Sequence, residues 1–330
     1  MTSALHQQVR RTIRRYGLCP PGSRVLVALS GGSDSVALTL LLRDLAQHGG
    51  FAVVGLAHLN HQLRPTADRD ERFCRAFAER VALPVTIAII DVPAYAEAQR
   101  LSREDAARRV RYDFLARVAA DAGADRIAVA HTQDDQAETF LLKLIRGAGL
   151  TGLGGIYPRR GAIVRPLLDV SRAELRDFLV GRQEAWVEDE SNADLSNPRN
   201  RIRHVILPEL ERAYGGPVRR SIARAAAVMR EDGQFLDDVA DRRFRDLASS
   251  SPDGLEFEAA ELIAEPAAMR RRVLFRALRL VSEGREVGLD HVDAAVEVLT
   301  AVTGGVDLPG VRVELRRKKL VLVHQRRPAK

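Results

Sequence analysis

The residues best suited to chemistry are Ser30-Gly31-Gly32-Ser33-Asp34-Ser35. Two glycines let the main chain approach a ligand closely, and N–H groups at a following helix start point at an anion. Ser30, Ser33 and Ser35 add hydroxyl donors, so the segment can cradle a phosphate. No Gly-Lys-Ser/Thr follows, which separates it from a Walker loop. An ordinary strand–turn–helix with a Ser/Asp cap uses the same residues and is the plainer alternative.

Four other stretches carry reactive groups. His58-Leu59-Asn60-His61-Gln62-Leu63-Arg64 holds two imidazoles, an amide and a guanidinium, which suit a base edge, a phosphate or a polar strand exit. A zinc site is weaker, because no Cys joins them at ligand spacing. His131-Thr132-Gln133-Asp134-Asp135-Gln136-Ala137-Glu138 follows the fourth strand-like run. On a helix Asp134 and Glu138 lie four apart and repel. A cation between them is the remedy, either Mg²⁺ shared with nucleotide phosphates or the ammonium of an amine substrate. An acid-rich helix start remains the alternative. Arg108 and Arg111 share a helix face behind Ser102, where Glu104 and Asp105 suit the helix dipole. They can reach phosphate oxygens or form a solvated face. Arg199, Arg201 and Arg203 follow Asn197-Pro198 at a helix start, an end that repels cations, which points to phosphate ligands. Trp186, ahead of Val187-Glu188-Asp189-Glu190-Ser191-Asn192, reads as a core side chain.

The elements that must position these groups alternate. Strands are expected at 24–29, 51–59, 84–91 and 126–130, with helices near 34–47, 67–82, 102–121 and 133–146. Continuous apolar strands imply a parallel sheet covered on both faces, hence a doubly wound α/β domain with ligands beyond the strand carboxyl ends. The loop at 30–35, His58 to His61, and His131 all sit at those ends. The glycine-rich run 146–155 is either a connector or a loop that orders over substrate. Helices are expected at 200–213, 216–247, 258–282 and 289–300. Strands follow at 305–308, 311–315 and 320–324, with Leu308-Pro309-Gly310 as a hairpin turn. The expected organisation is a catalytic domain over 1–199, a helical linker over 200–215 and a smaller α+β domain over 216–330.

Hydrophobic content of 46% and charged content of 29% fit a globular chain long enough for two cores. No run approaches the length of a membrane span and the N-terminus lacks a signal-peptide pattern, so no membrane partner is expected. Cys19 and Cys74 form neither a metal spacing nor a disulfide framework, which fits a reducing cytoplasm. The net charge of +7 is uneven. Basic blocks at 1–29, 199–230 and 312–330 sit on an otherwise acidic chain, a pattern suited to a polyanion such as nucleic acid. Arg outnumbers Lys 47 to 4, and a compositional bias of that kind can produce the same blocks.

The loop at 30–35 resembles the pyrophosphate-binding loop, or PP-loop, of the ATP pyrophosphatases. Together with His58–Arg64, Ala106-Ala107-Arg108-Arg109-Val110-Arg111-Tyr112, Ala130–Thr139, Arg165-Pro166-Leu167-Leu168 and Arg199–Arg203, it occurs in the order seen in bacterial tRNA(Ile)-lysidine synthases. The resemblance is strong over 20–210 and weaker beyond, where Leu289-Asp290-His291 and the Leu-Pro-Gly hairpin are similar. Thr132 stands where the family often has a second His, and the length resembles the family's short form. The activity implied is ligation of free lysine to C2 of the wobble cytidine in the CAU anticodon of isoleucine tRNA, through an adenylated cytidine, with release of AMP and pyrophosphate. ATP and Mg²⁺ are the implied cofactors. By the same resemblance Ser30, Gly31, Gly32, Ser33, Asp34 and Ser35, with His58 and Asn60, bind ATP, and Asp34 and Glu138 hold the metal. His131, Asp134 and Asp135 shape the nucleophile and adenylate region, while Arg108, Arg111 and Arg203 neutralise phosphate. The 199–230 block contacts the RNA backbone. A homodimer is compatible with all of this.

Other readings predict different residues. A PP-loop sulfur-transfer enzyme needs paired cysteines, and an amidotransferase-like ligase needs a glutaminase-sized domain. A non-enzymatic RNA-binding relic needs no Asp34, Asp134 or Glu138.

Overall fold

The computed structural model describes residues 3–60, 67–188, 194–251, 254–283, 285–301 and 304–325. His61–Arg64 and Asp189–Asn192, singled out above, lie outside them.

Strand β1 (Arg24–Ala28) shows how the sequence builds two cores from one run. Val25, Val27 and Leu29 pack with helices α1 (Ala4–Arg15), α2 (Ser33–Gly49) and α3 (Ala67–Arg80) on one side. Leu26 and Ala28 point to the other side, against Phe114, Leu115 and Val118 of α5 (Arg103–Asp121). A side-chain period of two divides a continuous apolar strand between both faces, as the covered parallel sheet requires.

Around β1 the sheet runs β3-β2-β1-β4-β6-β5, with β2 (Ala52–Asn60), β3 (Val85–Ile89), β4 (Arg126–Ala128), β5 (Arg159–Arg160) and β6 (Ile163–Val164). Every pairing is parallel except β5 with β6. The fold is the expected mostly parallel α/β sheet. β1 has β2 on one side and β4 on the other, so their carboxyl ends form the switch-point crevice where ligands bind in this architecture. β3 is an edge strand with Ile89 exposed, shorter than its apolar run suggested. Helices α4 (Val92–Gln99), α7 (Leu150–Leu153, within the glycine-rich run) and α8 (Arg172–Gly181) were not expected. Of these, α4 and α8 carry sequence caps, at Asp91 and in the Ser171/Glu174 capping box.

The chain divides into two compact units, Met1–Arg230 and Glu231–Lys330. The stretch expected as a linker is helical: α9 (Pro198–Arg201), a π-helical turn (Ile202–Ile206) and α10 (Leu207–Tyr214). Ile202 and Leu207 bury against Ala137 of α6 (Gln133–Ile145), which ties this stretch into the first unit. Helix α11 (Val218–Leu247) runs through the division.

The second unit is an antiparallel sheet of order β7-β8-β11-β10-β9, made from β7 (Ser249–Ser251), β8 (Gly254–Glu258), β9 (Gly304–Leu308), β10 (Val311–Arg316) and β11 (Lys319–His324). Its core joins sheet residues such as Phe257, Val313, Leu320 and Leu322 to α12 (Ala259–Ala264), α13 (Ala267–Val281), α14 (Leu289–Thr300) and the end of α11. The single helix expected over 258–282 is broken at Glu265-Pro266, since the residue before proline is driven out of the α region. Pro309-Gly310 does form the β9–β10 hairpin, with Leu308 paired to Val311 and Gly310 at φ +79°.

Candidate active site

Gly31 and Gly32 form the turn between β1 and α2. Gly31 takes φ +87°, a conformation that favours glycine. Gly32 is the N-cap of α2 and supplies no side-chain cap, so the first N–H groups of a 17-residue helix are left for an anion. The serines brace this turn. Ser30 N–H donates to Ser35 Oγ (3.1 Å), and Ser35 Oγ donates to the Gly32 carbonyl (2.9 Å). Val187 N–H donates to the Gly31 carbonyl (2.9 Å), so the segment containing Trp186 and Val187 leans on the loop. Cys74 Sγ and the Phe73 ring lie beneath Gly31.

Asp34 projects from the first turn of α2. Burial raises its pKa and Arg172 opposes the shift, Arg172 Nε donating to Asp34 Oδ2 at 3.2 Å. The same guanidinium donates from Nη1 to Glu138 Oε1 (2.9 Å) and from Nη2 to Asp135 Oδ1 (2.5 Å). The main-chain N–H of Arg172 donates to Asp134 Oδ2 (2.9 Å). One residue at the start of α8 therefore touches all four carboxylates.

The other oxygens are also engaged. Glu138, whose side chain is fully buried, accepts from Arg199 Nε (2.8 Å) and from Arg203 Nε and Nη2 (2.7 and 3.0 Å). Burial would push its pKa up, but Arg203, Arg172 and Arg199 hold it below the usual carboxylate range. Asp135 is held low in the same way, its desolvation outweighed by Arg172 and Arg199. Asp134 Oδ1 accepts from Arg219 of α11 (3.3 Å). Guanidinium groups thus fill the space that spacing alone reserved for a metal or an ammonium. Among the described residues no group of three His, Cys, Asp or Glu is arranged to hold a metal. Asp34 still fits one, because Mg²⁺ takes one or two carboxylates together with substrate phosphates. Glu138 fits less well, since both of its oxygens are engaged by arginine.

Thr132 caps α6. Its hydroxyl and N–H meet Asp135 Oδ2 (2.8 Å each), and Asp135 N–H returns to Thr132 Oγ1 (3.3 Å). Next to it, His131 Nδ1 accepts from Arg165 Nε (3.0 Å), which leaves the neutral ring's proton on Nε2. Burial pushes the His131 pKa down to about 4, so the ring is neutral at physiological pH. His58, at the end of β2, donates from Nδ1 to the Leu29 carbonyl (2.9 Å), and burial lowers its pKa. Asn60 is buried, with Nδ2 donating to Glu71 (3.4 Å). Arg108 and Arg111 are exposed on α5. Arg108 stacks over Tyr112 (5.2 Å), and Arg111 lies close enough to disfavour protonation of both His58 and His131.

The structure thus joins Asp34, Asp134, Asp135, Glu138 and Arg203 in one cluster, with His131 beside it, and sets Arg108, Arg111, His58 and Asn60 apart from its hydrogen bonds. Sequence reading missed Arg172, named Arg165 only within a motif and without a role, and placed Arg219 only in the basic 199–230 block. Arg172 carries the same local signal as Arg199, a cation in the first turn of a capped helix where the dipole opposes it, but nothing local names the carboxylates it meets.

A profile of the PP-loop domain matches residues 1–210. Curated tRNA(Ile)-lysidine synthases match most of the chain. That of Geobacter sulfurreducens is 42% identical over 88% of this chain and 62% of its own length. That of Symbiobacterium thermophilum is 38% identical over 94% and 67%, and that of Gloeobacter violaceus 36% identical over 89% and 88%. The chain belongs to the tRNA(Ile)-lysidine synthase family. It spans under two thirds of the Geobacter relative and nearly all of the Gloeobacter one. A solved U34-tRNA thiolase of Methanococcus maripaludis with a [4Fe-4S] cluster shares the fold, at TM-score 0.56 and 19% identity over 68% of this chain and 78% of its own. Cys19 and Cys74 here are both buried, and burial pushes each thiol up to about 12. Among the described residues no helix is long and apolar enough to cross a membrane.

Proposed function

We propose that the chain ligates lysine to C2 of the wobble cytidine in the CAU anticodon of isoleucine tRNA, using ATP. The observation that carries this reading is the direct link, Asp34 to Arg172, between an uncapped phosphate loop and a buried cluster of carboxylates and arginines. Family membership supplies the substrates. The cytidine O2 attacks the α-phosphorus of ATP and pyrophosphate leaves. The lysine amine then attacks C2, the C2–O2 bond breaks with AMP as leaving group, and the amine loses a proton.

In this scheme Ser30–Ser35 hold the polyphosphate and Asp34 holds Mg²⁺, which when bound offsets charge on the phosphates. Arg203, Arg108 and Arg111 oppose the charge that develops on the leaving groups. Neutral His131 presents an Nε2 donor, and Asp134 and Asp135 border the region where nucleophile and adenylate meet. His58 and Asn60 serve the nucleotide. Glu138 organises the arginines more readily than a metal.

Labelled lysine incorporation tests the reading, with ATP, Mg²⁺ and an unmodified isoleucine tRNA transcript bearing CAU. A parallel transcript carries uridine at the wobble position. Incorporation only into the cytidine form supports the assignment. RNA-stimulated pyrophosphate release without incorporation would keep the adenylation step and remove lysine as nucleophile. Asp34→Ala should abolish pyrophosphate release and leave RNA affinity nearly intact, and unchanged turnover would sink the role of Asp34.

A further inference from the structure

Gln133 and Gln136 of α6 line a cavity of about 190 Å³ in the first unit, beside the carboxylate cluster. The volume admits a phosphodiester group.

Its wall holds a buried guanidinium that pairs with no carboxylate among the described residues. Arg230 is only 3% exposed, and its guanidinium donates to the Ile156 carbonyl (3.2 Å) and the Tyr16 hydroxyl (3.3 Å), both neutral acceptors. A buried guanidinium served only by neutral groups is under-compensated. Arg220 and Arg224 line the same cavity, one turn apart on α11. Both are exposed, and neither has a hydrogen bond or ion pair among the described residues. Asp169 is the single carboxylate in the lining, and it accepts from Thr12 Oγ1 at 2.7 Å. Cation excess, size and polar walls together define an anion site.

Its position decides which anion. Arg219 precedes Arg220 on α11 and reaches Asp134 of the carboxylate cluster. The Gln136 side chain clamps the glycine-rich segment, donating to the Gly154 carbonyl (3.0 Å) and accepting from Ile156 N–H (2.7 Å). The cavity therefore adjoins the cluster along one turn of α11 and the start of α6. We infer that it binds one phosphodiester group of the RNA substrate, adjacent to the reacting nucleotide. This rests on the reading of the chain as an RNA-modifying enzyme. Free pyrophosphate offers the same chemistry, so the test separates the two sources.

The test compares wild type with the Arg220→Ala/Arg224→Ala double variant, using a labelled anticodon stem-loop RNA titrated at several salt concentrations. Equal thermal melts and equal ATP affinity establish that the fold and phosphate loop are intact, and Arg224→Ala alone replaces the double variant if that one does not fold. Loss of one phosphate contact predicts an RNA affinity about tenfold lower and a salt-dependence slope smaller by roughly 0.7 to 0.9. Unchanged affinity and slope would overturn the inference. Unchanged RNA binding with loss of pyrophosphate binding would assign the cavity to the free anion and also overturn it. Lysine incorporation is measured separately. Should the double variant show the RNA effect while wild type incorporates no lysine, the ligase reading would sink and the cavity assignment would stand.

Discussion

Arg172 Nη1 lies 2.9 Å from Glu138 Oε1, a carboxylate whose side chain has no solvent exposure. The pair is the centre of a network in which one guanidinium also bridges Asp34 and Asp135. Two buried anions depend on it, because leaving an uncompensated charge in the interior costs far more than the pair gains.

Arg172→Met should therefore lower stability by about 3–5 kcal/mol, the usual consequence of breaking a buried pair from one side. Urea unfolding at pH 7 measures it. A cost below about 1 kcal/mol would mean that Arg199 and Arg203 suffice for Glu138 and Asp135.

The half-buried His131 sets a pH window. Its folded pKa of about 4 lies below the unfolded value of 6.5, so between these values the unfolded chain binds the extra proton. The contribution is complete above pH 6.5 and is lost as pH falls towards 4. It amounts to about 3 kcal/mol at roughly 1.4 kcal/mol per pH unit. His131→Asn should flatten the stability profile in that window, as read by urea midpoints from pH 7 to pH 4. A variant with the wild-type slope would show that His131 titrates normally.

Gly31→Ala tests the phosphate loop. At φ +87° a side chain is strained, and the added Cβ would sit 3.4 Å from Cys74 Sγ and from the Phe73 ring, and 3.6 Å from Val187. The expected loss is about 1–3 kcal/mol, with ATP affinity reduced more than RNA affinity. Calorimetric titration with ATP and with RNA separates the two, and equal losses would place the effect in global folding.

Thr132→Ala removes the side-chain half of a capping box and should cost about 1 kcal/mol, with Thr132→Ser restoring most of it. Thermal melts of the pair decide this. Should the serine variant be as unstable as the alanine, the methyl group and not the cap would be the important part of Thr132.

The sheet and its helices were legible because β1, β2 and β4 are continuous apolar runs that need cover on both faces, and Ser30–Ser35 ends the first of them. The acidic helix start at Asp134 was legible too, as a place requiring positive charge. What supplies that charge was not, because Arg172, Arg199 and Arg203 converge on Glu138 from 34 to 65 residues away, and no local pattern records such a meeting. Helix α8 was passed over although Ser171 and Glu174 spell a capping box. The continuous helix expected at 258–282 failed at Pro266, where local backbone sterics override hydrophobic periodicity.

Val187 donates to the Gly31 carbonyl, and its neighbour Trp186 is the sole tryptophan of the chain, with its indole N–H bonded to Glu188 (2.8 Å). The protein therefore carries its own optical probe, one residue from the strap on the phosphate loop. Any nucleotide that reshapes the Gly31 turn changes the indole's surroundings, and intrinsic emission follows that event without a label.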